Sequence, residues 1–511
     1  MTEVDVLIVG GGPVGLTARA LLERWGVRTL LVEKYRELSP FPRSRLVNVR
    51  SMEIFRQLGI AGEITVRAFD PEFGRVRFRD TLFDRDFASA AMIGVNAPVP
   101  ESPVIGALTS QDRLEPTLLA AADAPMRFGT ELVDLAEEAD TVVATLVENG
   151  VETQVRARYV LAADGANSTV RRRLGIGITG PGSVGAGTTV VFDADLGPWS
   201  AGQPAGVYMT AHGPFAPLYP EGGWFWFTRT PEDAANADWP GLLSRAIGSD
   251  AAVEVLRIQH WVINAFVSER FRHGRIFLAG DAAHAIPPAG GLGMNAGIAD
   301  VHNLCWKLAG VLQGWAAPSL LETYEAERLP VAGRTLQQAV ANSRLMEQAQ
   351  RSRQRQLRAG EADSAPLELP WSDRYFAQLG LILGVAYDSK AVLTDGNTPP
   401  GFDDGPEYVP AAQPGHRMPH LWLDPGRSTL DTFGEWFTLL TADPARWESR
   451  LPGSWPLRIE TLPKEHIDAC DLSPQGALLI RPDGHIGARW QDFPADDSAL
   501  DDALTAIGQR P

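Results

Sequence analysis

Cysteine and long apolar runs are scarce in this sequence. Among 511 residues only two are cysteine, Cys305 and Cys470. That number excludes a disulfide framework and a cysteine-rich metal site, and we expect no metal ion. No apolar stretch is long enough to cross a membrane. The N-terminal residues Met1–Asp5 lack the basic segment of a signal peptide, so we expect a cytoplasmic protein with no membrane partner.

Positive charge is also in deficit, because 46 basic residues face 63 acidic ones and leave a net charge of −17. This balance argues against a nucleic-acid partner, which would require a basic surface to neutralise phosphates. Only four of the basic residues are lysine. A GC-rich genome is the simplest explanation, and the alternative is that some arginines bind phosphate or carboxylate groups. At roughly 150 residues per domain, the length suggests about three domains.

The chain opens with a strand–helix–strand pattern. Val4–Val9 and Val27–Val32 are apolar runs typical of buried strands, and Leu16–Trp25 between them has helical apolar spacing. Such a unit opens a sheet with parallel strands.

A glycine motif connects the first strand to the helix. Gly10, Gly12 and Gly15 match G-x-G-x-x-G, with Pro13 at the start of the helix. Glycine permits a tight turn, close approach of backbone amides to a pyrophosphate, and close packing of helix on strand. Glu33 follows Gly15 by 18 residues and ends the next strand, where its carboxylate would accept hydrogen bonds from a ribose diol.

Two later segments separate FAD from NAD. Tyr159–Arg171 is a strand followed by the turn Asp164-Gly165, and Arg275–His284 is a strand that ends in Gly280-Asp281. An aspartate at such a strand end can bond the sugar-alcohol chain that FAD has and NAD lacks. The glycine-rich segment Pro287–Gly297 then opens another helix, whose N-terminus would stabilise negative charge on a reduced flavin.

Together these three motifs, in this order, resemble the FAD-dependent aromatic hydroxylases. These are single-component flavoprotein monooxygenases with the p-hydroxybenzoate hydroxylase fold, and the nearest branch is the polyketide-tailoring one that includes aklavinone and tetracenomycin hydroxylases. Further segments that fit are Pro42-Arg43, Arg50–Glu53, Ser110–Glu115, Val191–Leu196, Tyr324–Arg328, Pro414–His420 and Leu479–His485. The resemblance therefore spans nearly the whole chain.

The resemblance implies an α/β fold with three parts. These are a Rossmann-like FAD-binding domain, an inserted antiparallel-sheet substrate domain and a C-terminal thioredoxin-like domain. We expect the FAD domain over 1–180 and 271–395, with a strand-rich excursion near 70–103. We expect the substrate sheet over 181–270 and the third domain over 396–511, after a linker at Thr398–Pro414. That last domain lacks C-x-x-C, so we expect no thiol–disulfide chemistry there.

The implied cofactors are FAD, NAD(P)H with NADPH expected over NADH, and O2. The implied activity is hydroxylation of a polycyclic phenol through a flavin C4a-hydroperoxide, by a monomer or homodimer. Baeyer–Villiger oxidation, epoxidation and a non-catalytic FAD-binding protein remain alternatives. Besides the motif residues Gly10, Gly12, Pro13, Gly15, Glu33, Asp164 and Asp281, the expected FAD contacts are Lys34, Arg43, Arg45, Gln111, Pro288, Gly291, Gly293, Met294 and Asn295. Of these, Arg43 or Arg45 would hold the pyrophosphate, and Pro288 and Gly291 would frame the catalytic oxygen pocket.

The substrate should lie between the flavin and the sheet, which we expect over Thr188–Trp261. Trp224-Phe225-Trp226-Phe227 alternates on a strand, so one aromatic pair should face the cavity and the other the far side. We take Trp224 and Trp226 as the substrate pair, with core packing as the alternative.

Three side chains are candidates for phenol activation: Tyr219, His260 and Tyr387. Relatives carry Arg-Tyr before the linker, where this chain has Ala386-Tyr387. The catalytic base therefore stays open, although Tyr387 is the catalytic candidate.

Overall fold

The computed structural model describes residues 2–196, 203–361, 367, 378–396 and 407–510. In chain order the strands are β1 (Thr2–Val9), β2 (Thr29–Glu33), β3 (Leu46–Val47), β4 (Arg75–Phe78), β5 (Ala88–Ala91), β6 (Ala107–Leu108), β7 (Met126–Phe128), β8 (Thr130–Glu137), β9 (Val142–Glu148), β10 (Val151–Ala162), β11 (Ile178–Asp193), β12 (Val207–Thr210), β13 (Gly213–Tyr219), β14 (Gly222–Arg229), β15 (Glu254–Ser268), β16 (Arg272–His273), β17 (Ile276–Leu278), β18 (His284–Ala285), β19 (Trp422–Asp424), β20 (Arg427–Ser428), β21 (Phe437–Thr441), β22 (Leu457–Thr461), β23 (Ala477–Ile480) and β24 (Ile486–Trp490). The helices are α1 (Pro13–Arg24), α2 (Val49–Gln57), α3 (Ala61–Val66), α4 (Gln111–Ala120), α5 (Thr169–Arg173), α6 (Trp239–Ile247), α7 (Gly293–Gln313), α8 (Glu322–Ala359), α9 (Leu379–Leu383), α10 (Pro444–Glu448) and α11 (Ala499–Ile507).

The first sheet is built around parallel strands, in the order β16-β17-β10-β1-β2-β7, with the hairpin β8–β9 attached to β10. Apolar β1 is central, and its residues Val6–Val9 are buried because α1 and α7 cover the sheet. The opening strand–helix–strand prediction is confirmed. Since parallel strands end at one edge, Gly10, Asp164 and Asp281 meet there, after β1, β10 and β17.

The second sheet has the order β18-β15-β11-β14-β13-β12-β4-β5. It contains the predicted antiparallel strands, and the strands expected near 70–103 join its edge as β4 and β5. One face of this sheet packs against α6 and is called the far face. Together they form a separate apolar core that includes Phe192, Phe215 and Leu243. The other face is turned toward the first sheet.

Two features of this second sheet differ from the prediction. Strand β11 begins at Ile178 rather than near Thr188, through a segment with glycines at positive φ and register shifts against β15. Glycine disfavours a strand, but these bulges tolerate it and the long pairing with β15 stabilises it. Helix α6 was missed, although Asp238 caps it and Gly248 ends it in the left-handed conformation.

The third unit is a four-stranded mixed sheet in the order β22-β21-β23-β24, covered by α10 and α11. With this unit, the structure contains all three parts of the predicted fold class. The predicted linker lies largely outside the described residues. Within the described part of the chain, every helix is too short or too polar to span a membrane.

Candidate active site

The loop between β1 and α1 can exist only with glycine. A Cβ at Gly10, whose φ is +107°, would lie 2.3 Å from the Ala163 carbonyl oxygen, and one at Gly15 would lie 2.0 Å from the Gly10 oxygen. At Gly12 a Cβ would meet nothing within 4 Å. The loop is therefore closed against the sheet and open outward at Gly12, next to the start of α1, as a pyrophosphate requires.

Glu33 is tied to this loop. Its Oε2 accepts a hydrogen bond from the Gly11 amide at 2.6 Å, and its Oε1 accepts one from the Tyr35 amide at 2.9 Å. The carboxylate thus fixes the loop. Its oxygens have further lone pairs that can accept hydrogen bonds, and the contact with the FAD ribose stays a prediction. The neighbouring Lys34 is exposed, with its ammonium 5.2 Å from the Tyr35 ring centroid.

Asp164 lies against Gly10 at the end of β10. Its Oδ2 accepts a hydrogen bond from the Val170 amide at 3.1 Å, whereas its Oδ1 is buried without a partner among the described residues. Burial raises the pKa of this carboxyl group. An unpartnered buried acceptor beside an open glycine loop fits a hydroxyl-bearing ligand such as FAD.

Asp281 occupies a short turn after β17. It is accessible, yet the protein around it raises the pKa of its carboxyl group, an effect opposed by the electrostatic interactions with His284 and Arg43. A Cβ at Gly293, the first residue of α7, would lie 4.0 Å from Asp281 Oδ1. Asp281 and Arg43 therefore lie near each other beside the start of α7, an arrangement that suits a flavin ribityl diphosphate.

A buried carboxyl group supports Gln111. Glu115 Oε1 accepts a hydrogen bond from Gln111 Nε2 at 2.7 Å, and its Oε2 accepts one from the Ser39 amide at 3.2 Å. Burial raises the pKa of Glu115 to about 7, and the nearby Arg43 opposes this rise. Glu115 was not predicted as a site residue, although its spacing of four from Gln111 on a helix is a usable signal.

The glycine-rich loop before α7 is held by Asn295. Its Oδ1 accepts from the Asn48 amide at 2.9 Å, and its Nδ2 donates to the carbonyls of Leu46 and Gly291 at 2.8 and 2.7 Å. Asn295 is thus a positioning residue, and its direct contact with flavin stays a prediction. Gly291 has a φ of +65°, and a Cβ there would lie 2.9 Å from Leu46. Pro288 is exposed on the same loop, and Met294 packs against the main core.

His284 is supported by an ion pair that sequence reasoning missed. Its Nε2 lies 2.6 Å from Asp300 Oδ2, and Arg328 Nε donates to Asp300 Oδ1 at 2.8 Å. The interactions with His284 and Arg328 lower the pKa of Asp300 to about 2, despite its complete burial. The nearby Gly280 amide also donates to Asp300. The array fixes the turn that carries Asp281.

The aromatic alternation on β14 has the predicted two faces, but the pair assigned to the substrate is the other one. Trp224 and Trp226 are buried in the far core with α6, and Trp226 stacks on Phe215. Phe225 and Phe227 are half-buried on the face toward the first sheet. Trp224 and Trp226 therefore stabilise the sheet, which corrects their prediction as substrate residues.

The face toward the first sheet continues onto β15. Trp261 packs on Phe227 with ring centroids 4.9 Å apart, and Arg257, four residues earlier, donates to the carbonyl of Pro40. His260 points the opposite way, where its Nδ1 lies 2.8 Å from Thr188 Oγ1 and its ring approaches Trp239 of α6. Its prediction as a substrate residue is corrected, since alternate residues of a strand face opposite sides.

Arg45 connects the two sheets instead of binding phosphate. It is buried, donates to the carbonyls of Gly206 and Pro217 at 2.8 and 2.5 Å, and lies over the rings of Phe69 and Phe225. Burial lowers its pKa to about 9. This corrects the prediction for Arg45 and leaves Arg43 as the phosphate candidate. Leu46, the next residue after Arg45, lies beside Gly291. The short segment Arg45–Leu46 therefore has the aromatic face with Phe225 on one side and the glycine-rich loop on the other.

The two tyrosine candidates are engaged elsewhere. Tyr219 donates to Asp112 Oδ2 at 2.5 Å, and burial and this carboxylate raise its pKa to about 12. Tyr387 is buried against the third unit, where its hydroxyl accepts from Arg328 Nη1 at 3.2 Å and its ring packs on His485. Both hydroxyls are therefore held by charged partners, and a role of either tyrosine in phenol activation stays a prediction.

Comparison with known proteins decides the family. A family model of an FAD binding domain matches residues 3–339, and a second, of the aromatic-ring hydroxylase C-terminal region, matches 411–511. The chain belongs to the FAD-dependent aromatic-ring hydroxylases. This FAD-dependent monooxygenase is 34% identical to a 4-methyl-5-nitrocatechol 5-monooxygenase from Burkholderia sp., over 99% of this chain and 97% of that protein. It is 34% identical to a tetracenomycin B2 monooxygenase-dioxygenase from Streptomyces olivaceus, over 99% and 98%.

The solved structures agree with this assignment. A crystal structure of the flavin-dependent monooxygenase PieE in complex with FAD and substrate covers 100% of this hydroxylase and 99% of its own chain, with a TM-score of 0.91 and 31% identity. The predicted family, fold class, enzyme class and FAD cofactor are confirmed. As a monooxygenase the hydroxylase also consumes O2 and a reduced nicotinamide.

Proposed function

We propose that this FAD-dependent monooxygenase hydroxylates a polycyclic phenol, with NADPH as its reductant. The observation that carries the substrate proposal is the apolar aromatic face formed by Phe225, Phe227 and Trp261, which lies across Leu46 and Arg45 from the Gly290–Gly291 loop. Flat rings pack well against such a face, and three aromatic rings together offer contacts to more than one ring of a substrate. The tetracenomycin-type relative supports a polycyclic substrate, whereas the nitrocatechol-type relative acts on one ring.

The chain itself would bind, orient and shield the reactants. Gly10, Gly12, Gly15, Arg43 and Asp281 would hold FAD, which when bound supplies the activation of O2. The glycine loop at Pro288–Gly293 would border the reacting edge of the flavin without side-chain bulk. Phe225 and Phe227 would exclude water and place an electron-rich ring carbon toward that loop.

A substrate screen tests this function directly. Purified FAD-loaded protein is mixed with NADPH or NADH and with polycyclic phenols or single-ring catechols, and reductant consumption is followed together with product mass. We expect polycyclic phenols to stimulate NADPH consumption and to gain one oxygen atom. Equal or better turnover of single-ring catechols contradicts the substrate class. If only hydrogen peroxide is formed with every compound, the hydroxylase proposal fails.

A matched pair of variants tests the aromatic face. Phe225→Leu should raise KM for the polycyclic substrate by up to about tenfold, because losing one aromatic contact costs about 0.5–1.4 kcal/mol. Trp226→Leu, one residue along the strand on the far face, should reduce thermal stability and leave KM nearly unchanged. An unchanged KM in Phe225→Leu would show that the substrate lies elsewhere.

We also propose a cytoplasmic location and a monomer or homodimer. Size-exclusion chromatography with light scattering measures the second, and a larger assembly would contradict it.

A further inference from the structure

A cavity lined by both charged and apolar side chains lies where the first and third units meet. It is small, with a volume of about 30 Å³, and lies between α2, α7, α9 and the turn before β24. The side chains that matter for its chemistry are those of Arg50, Arg328, Arg417, His302, Asp483 and His485. The lining residues do not include the glycine motif, Asp164, Asp281 or the aromatic substrate face, although several of them lie in segments that carry the family resemblance.

Positive charge predominates around this cavity. Its lining arginines pair with carboxylates behind them: Arg50 and Arg417 with Glu53, and Arg328 with Asp300. The lining Asp483 pairs with Arg481, which is linked through Glu327 to Lys307. The lining groups and these partners comprise five cations, Arg50, Arg328, Arg417, Arg481 and Lys307, and four carboxylates, Glu53, Asp300, Glu327 and Asp483. One positive charge therefore has no matching carboxylate in this set, in which Arg50 is the one half-buried member.

His485 lacks hydrogen-bond partners in this cavity. The residue is 4% exposed, and neither ring nitrogen has a hydrogen bond among the described residues. Its Nδ1 is 3.7 Å from the nearer Asp483 oxygen, and its ring packs on Tyr387 with centroids 4.2 Å apart. A buried ring nitrogen without a partner is costly, which indicates a missing ligand.

Burial decides the charge of the two histidines that line the cavity. Burial lowers the pKa of His485 to about 4 and that of His302 to about 3, and Arg50 lowers both further. Both imidazoles are therefore neutral near pH 7. A neutral imidazole has one N–H to donate, whereas the surrounding guanidinium groups repel any added cation.

We propose that this cavity binds a small monoanion, a halide or a short carboxylate such as formate, at the junction of the FAD-binding and C-terminal units. The anion would accept a hydrogen bond from His485 and balance the unmatched charge shared by Arg50, Arg328 and Arg417. Because these side chains come from both units, the anion would strengthen their docking. The site is independent of the substrate proposed above.

Bromide is a direct probe of the site. Crystals of the FAD-loaded protein are grown or soaked with sodium bromide in place of chloride, and data are collected at the bromine absorption edge. We expect an anomalous peak within hydrogen-bonding distance of a His485 ring nitrogen. Bromide at exposed sites alone, an adventitious ion only, overturns the proposal, as does a cavity that holds only water.

Melting temperature separates the two kinds of anion. Sodium chloride and sodium formate are titrated against sodium sulfate at equal ionic strength, and the stronger stabiliser identifies the ligand type. We expect a saturable rise in Tm that His485→Phe abolishes while retaining the ring that packs on Tyr387. Arg427→Gln, in the exposed pair with Glu460, is the control and should retain the rise. A rise that is equal in His485→Phe, or absent with both anions, refutes the site. If His485→Phe does not fold, the bromide map of the unaltered protein decides.

Discussion

The contact between the FAD-binding and C-terminal units should depend on Arg481. Its guanidinium binds Glu327 through two hydrogen bonds of 2.6 and 2.9 Å and Asp483 at 2.5 Å, and the Arg481 and Glu327 side chains are fully buried. Arg481→Met keeps much of the volume but leaves two buried carboxylates with Lys307, 2.7 Å from Glu327, as their remaining cation. Breaking a buried pair in this way costs about 3–5 kcal/mol.

A control and a double variant separate charge from packing. Arg427→Met removes an ion pair whose arginine is 45% exposed, and its effect should stay below about 1 kcal/mol. The double variant Arg481→Met with Glu327→Leu should lose less stability than Arg481→Met alone. The reason is that Lys307 and Asp483 then remain as balanced opposite charges.

The dependence on pH supplies a second signature. Arg481 and Lys307 hold the pKa of Glu327 well below its usual range. A carboxylate with a lowered pKa stabilises the folded state above its unfolded pKa, and this contribution is lost as pH falls. Arg481→Met removes that contribution, so the stability gap between the variant and the unaltered protein should be largest near pH 7. It should shrink toward pH 4.

Urea unfolding followed by tryptophan fluorescence is a suitable assay. Trp306, Trp315 and Trp455 pack around Phe437, where the C-terminal sheet meets α7. Their emission therefore reports separation of the two units. If Arg481→Met unfolds at the same urea concentration as Arg427→Met between pH 5 and 8, the network does not stabilise the interface, and the reasoning fails.

Three further predictions concern the cofactor site. Gly15→Ala should abolish FAD retention, measured as flavin absorbance after gel filtration, because its Cβ would lie 2.0 Å from the Gly10 oxygen; a fully yellow variant would contradict the loop geometry. Asp281→Asn should weaken FAD binding at least tenfold, since hydrogen bonds to a charged group contribute about 1.5–3 kcal/mol, and unchanged affinity in a fluorescence titration would remove Asp281 from the site. The pKa of Glu115 is raised from 4.5 to about 7, so the unaltered protein loses stability as pH rises between these values, by up to about 3 kcal/mol. Glu115→Gln should therefore be the more stable protein at pH 8 and equal at pH 5, and equal Tm at both values would refute the buried charge.

The sequence by itself determined the cofactor site, because its signals are local. Gly10, Gly12 and Gly15 are required by backbone conformation and close approach, which depend on residues nearby in the chain. Asp164 and Asp281 each follow a strand, and the rule that parallel strands end at one edge brings them to the glycine loop. The family resemblance rests on these same motifs.

Only the tertiary structure decided which aromatic face of β14 is buried against α6 and which is left for a substrate to bind. Alternation along β14 separates Trp224 and Trp226 from Phe225 and Phe227, but the choice of inner face depends on where α6 packs, which is a long-range contact. The same limit explains Arg45 and Tyr387. A buried arginine or tyrosine takes its partners from whatever surface covers it, here the second sheet and the C-terminal unit, and no local pattern specifies those surfaces.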